Sequence, residues 1–159
     1  MRIIECFVLL VLANAAPVVA SRLLGARLAW PLDSGKRLAD GQPLFGASKT
    51  LRGVLVAVVA ATLGAVVMGL SWYVGALAGF TSMCGDLFSS FVKRRLKLAP
   101  STRATVLDQV PESLLPLLAC QPLLNLTAVE ILAVVLLFLV GDIVFSPLFY
   151  RLKIRKRPY

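Results

Sequence analysis

A chain of 159 residues that is 58% hydrophobic, 16% charged and of mean hydropathy +0.85 is not composed like a soluble domain, in which roughly a quarter of the residues carry charge. The 17 Lys and Arg against 8 Asp and Glu leave +9, a balance that points to nucleic acid in a soluble protein, but the apolar runs here are too long for that. With no His in the chain, imidazole catalysis, His-ligated zinc and Ser-His-Asp chemistry are excluded from it.

Ile3 to Leu24 form the first apolar run, long enough for a helix to cross a bilayer core, which needs about 20 residues. Ala13-Asn14-Ala15 has the A-x-A form of a signal-peptide cleavage site. Cleavage there would export the loop that follows, with its six cations Arg22, Arg27, Lys36, Arg37, Lys49 and Arg52, against the rule that Lys and Arg stay inside. A retained first helix is therefore expected. From Gly53 to Val92 the one charge is Asp86. A run of forty residues is too long for a single span, so it must double back, and Gly69, Ser71, Trp72 and Tyr73 near its middle supply turn and interface chemistry. Gly75 and Gly79 give the GxxxG form of closely packed helices. A second basic segment, Lys93 to Arg103, holds five cations. A weaker apolar segment, residues 111–129, is interrupted by Pro116 and Pro122, and a clear last span runs from Leu126 to Tyr150, followed by a tail with five cations from Arg151.

All three basic segments share one side of the membrane only if the weak segment crosses. The expectation is an all-α integral membrane protein of about five transmembrane helices with two basic cytoplasmic loops, N-terminus outside and C-terminus cytoplasmic, in the cytoplasmic membrane. Residues 1–159 are expected to form a single domain. Cys6, Cys84 and Cys120 form no CxxC pair and read as small buried hydrophobes.

Ionisable groups inside a bilayer are costly and mark function or a paired structural contact. Asp86 and Asp142 each fall about fourteen or fifteen residues into a span, which at roughly 1.5 Å per residue puts both in the cytoplasmic leaflet. Asn14 reaches a similar depth. Asp86, Ser90, Lys93 and Lys97 are spaced i, i+4, i+7, i+11 and form one stripe of a helix. That stripe reads as a metal carboxylate followed by phosphate-binding cations, or else its basic end is only the stop signal and lipid anchor of the span. In the first loop, PLDSGKRLADGQPLFGASKTLRG places Asp33, Gly35, Gly41 and Gly46 ahead of Lys49, Thr50 and Arg52. It is not a Walker A sequence, because Ala47 and Ser48 intervene before Lys49-Thr50. Lys49-Thr50 leading directly into a helix favours phosphate, since helix N-termini attract anions. Asp108, and Glu112 one helical turn later, could hold Mg²⁺ completed by substrate phosphates, or could be solvated loop charges.

LANAAPVV, PLDSGKRLADGQPLFGASKTLRG, GDLFSSFVKRRLKLAP and LDQ, in that order, resemble the motifs of the CDP-archaeol synthase family, short five-helix relatives of the CDP-diacylglycerol synthases. The resemblance covers nearly the whole chain. It implies transfer of CMP from CTP to a glycerol-phosphate lipid with release of pyrophosphate and a divalent metal, Mg²⁺. Carried over by residue, it implies catalytic roles for Asp86, Lys93 and Asp108, metal binding by Asp86 and Asp108, and nucleotide binding by Asn14, Asp33, Lys49, Thr50, Arg52 and Arg94. The expected partners are CTP and the membrane lipid, with no nucleic acid, and a homodimer is compatible with this. One departure is visible: the family typically has a further Asp two residues after the DQ pair, whereas here Val110 and Pro111 follow and the next acid is Glu112. The competing classes are a small membrane transporter and a structural membrane subunit.

Overall fold

The computed structural model describes residues 2–98 and 104–151, so Arg103 and the basic tail beyond Arg151 lie outside the described residues. Five α-helices follow in order, α1 (Arg2–Leu24), α2 (Leu51–Val67), α3 (Trp72–Arg95), α4 (Thr105–Leu124) and α5 (Ala128–Arg151). Among the described residues there is no strand, only isolated bridges between Pro31 and Thr50 and between Arg37 and Pro43 in the first loop. Among the described residues α1 is the one helix both long and apolar enough to cross a bilayer on its own, and α2 is an apolar helix of 17 residues.

The doubling back falls where the turn residues predict it. α2 ends at Val67, Gly69 turns with φ +75°, and α3 begins at Trp72. α3 is the central element, packed along α2 on one side and α4 on the other, while α1 and α5 complete the bundle. The close α2–α3 approach depends on the GxxxG pair. A Cβ on Gly75 would lie 2.3 Å from the Ala61 carbonyl oxygen, and one on Gly79 would lie 2.8 Å from the Val58 Cα. The core is built from Cys6, Leu9, Leu10 and Ala13 of α1, Ala61 and Ala65 of α2, Val74 and Ala78 of α3, Leu117 and Cys120 of α4, and Val134 and Phe138 of α5.

The weak segment forms a full helix despite Pro111, Pro116 and Pro122. Proline lacks the N–H that would bond the carbonyl four residues earlier, so the carbonyl of Glu112 is released by Pro116. The Ser82 hydroxyl of α3 takes it up, donating to Glu112 O at 3.0 Å. Helix-breaking chemistry on α4 is thereby converted into a link between helices.

The stripe expected on α3 is shorter than its spacing suggests. Asp86, Ser90 and Lys93 are on the helix, but Lys97 is exposed beyond its end with φ +55°. The N–H groups of Lys97 and Leu98 close back on the carbonyls of Arg94 and Lys93 at 3.1 and 3.0 Å. This paired closure with a left-handed residue is how many helices terminate, and it turns Lys97 off the face that carries Asp86.

Candidate active site

Thr50 caps α2: its backbone is extended and its hydroxyl oxygen accepts the Gly53 N–H at 3.2 Å. Lys49, one residue earlier, is consequently held at the mouth of the helix and extends toward α3. Its Nζ donates to both oxygens of Asp86, at 2.5 and 2.6 Å, and both side chains are about one-fifth exposed. Two turns further along α3, the Lys93 ammonium lies 2.7 Å from Asp108 Oδ1 on α4. The other Asp108 oxygen accepts the Ala104 N–H at 3.2 Å, placing a negative charge at the start of α4 where the helix dipole favours one.

Between these two ion pairs sits Glu112. It is 9% exposed, and its carboxyl lies beside those of Asp86 and Asp108 and near the Lys49 ammonium. Lys49, Asp86, Lys93, Asp108 and Glu112 therefore form one cluster where α2, α3 and α4 meet. The side-chain oxygen of Gln109, beside Asp108, is buried with no hydrogen-bond partner among the described residues.

Gly85 makes this meeting possible. A Cβ there would lie 2.3 Å from the Pro111 carbonyl oxygen and 2.8 Å from the Glu112 nitrogen, so any side chain at residue 85 would separate α3 from α4. Asn14 supports the same junction from α1. Its amide donates to the Leu10 carbonyl at 2.9 Å and to Ser82 Oγ at 3.1 Å, and Ser82 in turn holds Glu112.

Other residues singled out in the sequence serve the loop. Asp33 is 4% exposed and accepts the N–H groups of Gly35 at 3.1 Å, Phe45 at 3.1 Å and Gly46 at 2.8 Å. Burial alone would raise its pKa, but the backbone N–H groups of Gly46, Gly35 and Phe45 outweigh burial and hold the carboxyl below the usual carboxylate range. Gly46 can present its N–H this way because its φ is +98°, a region open to glycine at no steric cost. Arg52 donates to the carbonyls of Gly25 and Arg27 and so fastens α2 to the chain leaving α1. Arg95 bonds Asp40 at 3.0 Å and the Pro43 carbonyl at 2.7 Å, tying the loop to the end of α3. Lys93 and Arg94 are buried rather than spread on the surface, unlike a simple stop signal. Asp142 is half-buried on α5.

Replacing Asp33 by Asn removes one acceptor oxygen and turns an amide toward backbone N–H groups. Leaving a buried donor unpaired costs about 1–3 kcal/mol, so Asp33→Asn is expected to loosen the first loop, accelerating protease cleavage within residues 34–46. The linkage has a definite sign. A carboxyl depressed in the folded state contributes stability above its unfolded pKa of about 3.9, and that contribution is lost as pH falls through the lower folded value. Loop protection in the wild type should therefore persist through pH 4 and fail only below it.

Ser82 and Glu112 are the members of this site that single-residue reading underweights. The available signal was Pro116, four residues after Glu112, which frees the carbonyl that Ser82 binds.

The model of the CDP-archaeol synthase (CarS-like) family matches residues 71–159, more than half of the chain and including α3, α4 and α5. A CDP-archaeol synthase of Sulfurisphaera tokodaii is 36% identical, with 81% of each chain covered. The chain belongs to the CDP-archaeol synthase family. Another CDP-archaeol synthase, from Pyrobaculum calidifontis, is 34% identical and aligned over 99% of this chain and 98% of its own. A solved structure described as an intramembrane enzyme for archaeal membrane lipid biosynthesis superposes with a TM-score of 0.69 at 26% identity, covering 86% of this chain and 90% of that one. The resemblance read from the motifs is thus borne out, together with the all-helical fold and the class of membrane nucleotidyltransferase. The transporter and structural-subunit alternatives are not favoured.

Proposed function

We propose that this chain transfers CMP from CTP to the phosphate of an ether-linked isoprenoid glycerol lipid, releasing pyrophosphate, at the cluster of Lys49, Asp86, Lys93, Asp108 and Glu112. The single observation that carries the site is the Lys49–Asp86 ion pair, in which a cation from the mouth of one helix meets a carboxylate from the middle of another, with the buried Glu112 close by. In this reaction a lipid phosphate oxygen attacks the α-phosphorus of CTP and the pyrophosphate oxygen leaves. No enzyme nucleophile is needed, which agrees with a chain lacking His. Catalysis then rests on positioning and on neutralising charge.

The residues present fit a divalent cation. Among the described residues no group of three or more His, Cys, Asp and Glu stands close enough together to hold a metal ion by itself. Mg²⁺, however, is commonly bound by one or two carboxylates with substrate phosphates completing its shell. Asp86 and Asp108 would hold it, with Glu112 beside Asp86 and the unpartnered Gln109 oxygen at hand. When bound, the ion would neutralise the triphosphate. Lys49, released from Asp86, faces the triphosphate, and Lys93 and Arg94 face the lipid phosphate. Thr50 and Arg52 set the mouth of α2, Asp33 sets the loop, and Asn14 sets the junction behind Glu112.

Five spans with the basic loops and the C-terminus in the cytoplasm place this cluster at headgroup depth, where the bilayer itself presents a phosphate on two apolar chains. The whole chain, residues 1–159, then acts as one transmembrane domain, and every residue of the cluster comes from a single copy. Purified protein incubated with labelled CTP, Mg²⁺ and an ether-linked isoprenoid glycerol phosphate should form a CDP-linked lipid. Folded protein that yields no nucleotide-linked product from this lipid, or from phosphatidic acid, with any nucleoside triphosphate would overturn the reading.

A further inference from the structure

Asp86 and Asp108 are the carboxylates with which the cluster would hold a divalent cation, and every one of their oxygens already has a donor. Lys49 Nζ donates to both oxygens of Asp86, at 2.5 and 2.6 Å. On Asp108 the Lys93 ammonium lies 2.7 Å from Oδ1, and the Ala104 N–H donates to Oδ2 at 3.2 Å. A metal ion binds through the same oxygen lone pairs, so on Asp86 it competes with the Lys49 ammonium for one place.

The two lysines differ in how readily they give way. Lys93 leaves the body of α3 and is buried. Lys49 belongs to the first loop, where its N–H bonds the Gly46 carbonyl at 3.1 Å and its carbonyl accepts the Leu32 N–H at 2.9 Å. Its backbone is thus held at both groups, while its flexible four-carbon side chain, about one-fifth exposed, can swing from Asp86 toward water. Charge decides when it does so. Lys49 and Lys93 bring two positive charges to the cluster against at most three negative ones from Asp86, Asp108 and Glu112. A divalent cation arriving alone adds two more and strands the displaced ammonium in a largely buried place, which is unfavourable. A triphosphate reverses the balance, because its oxygens pair with the ammonium and complete the shell of the metal. We propose that Lys49 is a built-in counter-cation, whose ammonium seated across both oxygens of Asp86 keeps a divalent metal ion off that carboxylate until a nucleoside triphosphate draws it away, so that metal and nucleotide enter together. This rests on the cytidylyltransferase reading and names the regulation of that site.

The test measures metal binding rather than turnover. Full-length protein in detergent is titrated with Mn²⁺ as the probe, free Mn²⁺ being followed by its electron paramagnetic resonance signal, first without nucleotide and then with CTP. A merely structural lysine would weaken metal binding when removed, whereas a counter-cation gives the opposite sign. Without nucleotide, Lys49→Met is expected to bind Mn²⁺ about tenfold or more tightly than wild type, a factor within the usual range of coupling between sites. Lys49→Arg, which keeps the cation, and Lys97→Met, which removes an exposed cation beyond the end of α3, should both bind as weakly as wild type. Adding Asp86→Asn to Lys49→Met should abolish the gain. CTP should then tighten Mn²⁺ by a larger factor in wild type than in Lys49→Met. Unchanged or weaker Mn²⁺ binding in folded Lys49→Met would overturn the proposal, and an equal gain in Lys97→Met would overturn it by making the effect one of overall charge. If Lys49→Met and Lys49→Gln both failed to fold, the lysine would be a structural tie and not an exchangeable one, which also overturns it. In each of these cases a wild type that still transfers CMP leaves the enzymatic reading standing. A folded wild type that neither binds Mn²⁺ with CTP nor transfers CMP would instead overturn the underlying reading.

Discussion

Asp86→Asn is expected to lower the rate of CMP transfer by roughly a hundredfold to a thousandfold or more at saturating Mg²⁺ and CTP, the scale seen when one preorganised electrostatic contact to a reacting centre is removed. The substitution keeps the shape of the side chain and one oxygen that can still accept from Lys49, so the α2–α3 contact is perturbed rather than deleted. What it removes is the negative charge that Lys49 and Glu112 both face. Folding should be retained, because the packing of α3 rests on Gly75, Gly79 and Gly85 and not on this carboxylate. Initial rates with labelled CTP, alongside size-exclusion profiles and thermal unfolding in detergent, check both halves of the expectation. Turnover within tenfold of wild type in a folded variant would remove Asp86 from the reacting centre.

Gly85→Ala is expected to damage stability and activity together. Inside an ordinary helix the change from Gly to Ala is favourable by about 1 kcal/mol. Here the new Cβ would stand 2.3 and 2.5 Å from the Pro111 carbonyl oxygen and carbon and 2.8 Å from the Glu112 nitrogen. Those are backbone atoms, which cannot swing aside. α3 and α4 must separate instead, at a cost typical of overpacking, about 1–3 kcal/mol. The same shift moves Glu112 from Asp86 and Asp108 from Lys93, and a displacement near 1 Å at a reacting centre can cost about a hundredfold in rate. Gly64→Ala is the informative control. Its Cβ would meet Leu12 Cδ1 at 2.3 Å, the far end of a flexible side chain that can choose another rotamer. The expected order of thermal stability is wild type above Gly64→Ala above Gly85→Ala, with the large loss of activity confined to the last. A Gly85→Ala protein as stable and active as wild type would mean that α3 and α4 do not approach as closely as described.

By itself the sequence determined where the helices are and which chemistry they can hold. Hydrophobic run length is a one-dimensional quantity, so α1, the doubling back between Val67 and Trp72, and α5 could be read directly. The close packing of the GxxxG pair was equally legible, because glycine spacing on one helix already states that a neighbour must come near. The lone carboxylate Asp86 in an apolar run and the Lys49-Thr50 pair ahead of a helix marked both halves of an ion pair. What they did not state was that the two meet, 37 residues apart in the chain. That was decided by α2 lying along α3, and similarly the partnership of Lys93 with Asp108 was decided by α3 lying along α4. Only the tertiary structure separated the residues that face the cluster from those that build its walls. Asp33 and Arg52 carry charges suited to phosphate and metal, yet Asp33 organises loop N–H groups and Arg52 binds carbonyls after α1. Glu112 reads equally as a metal carboxylate or a loop acid until Pro116 is seen to free its carbonyl for Ser82 and Gly85 to let α3 come within reach. Helix formation and burial follow from local composition and period, whereas the identity of a charged group's partner depends on which helix faces overlap, and that overlap is fixed by the packing of small residues along all of the helices together.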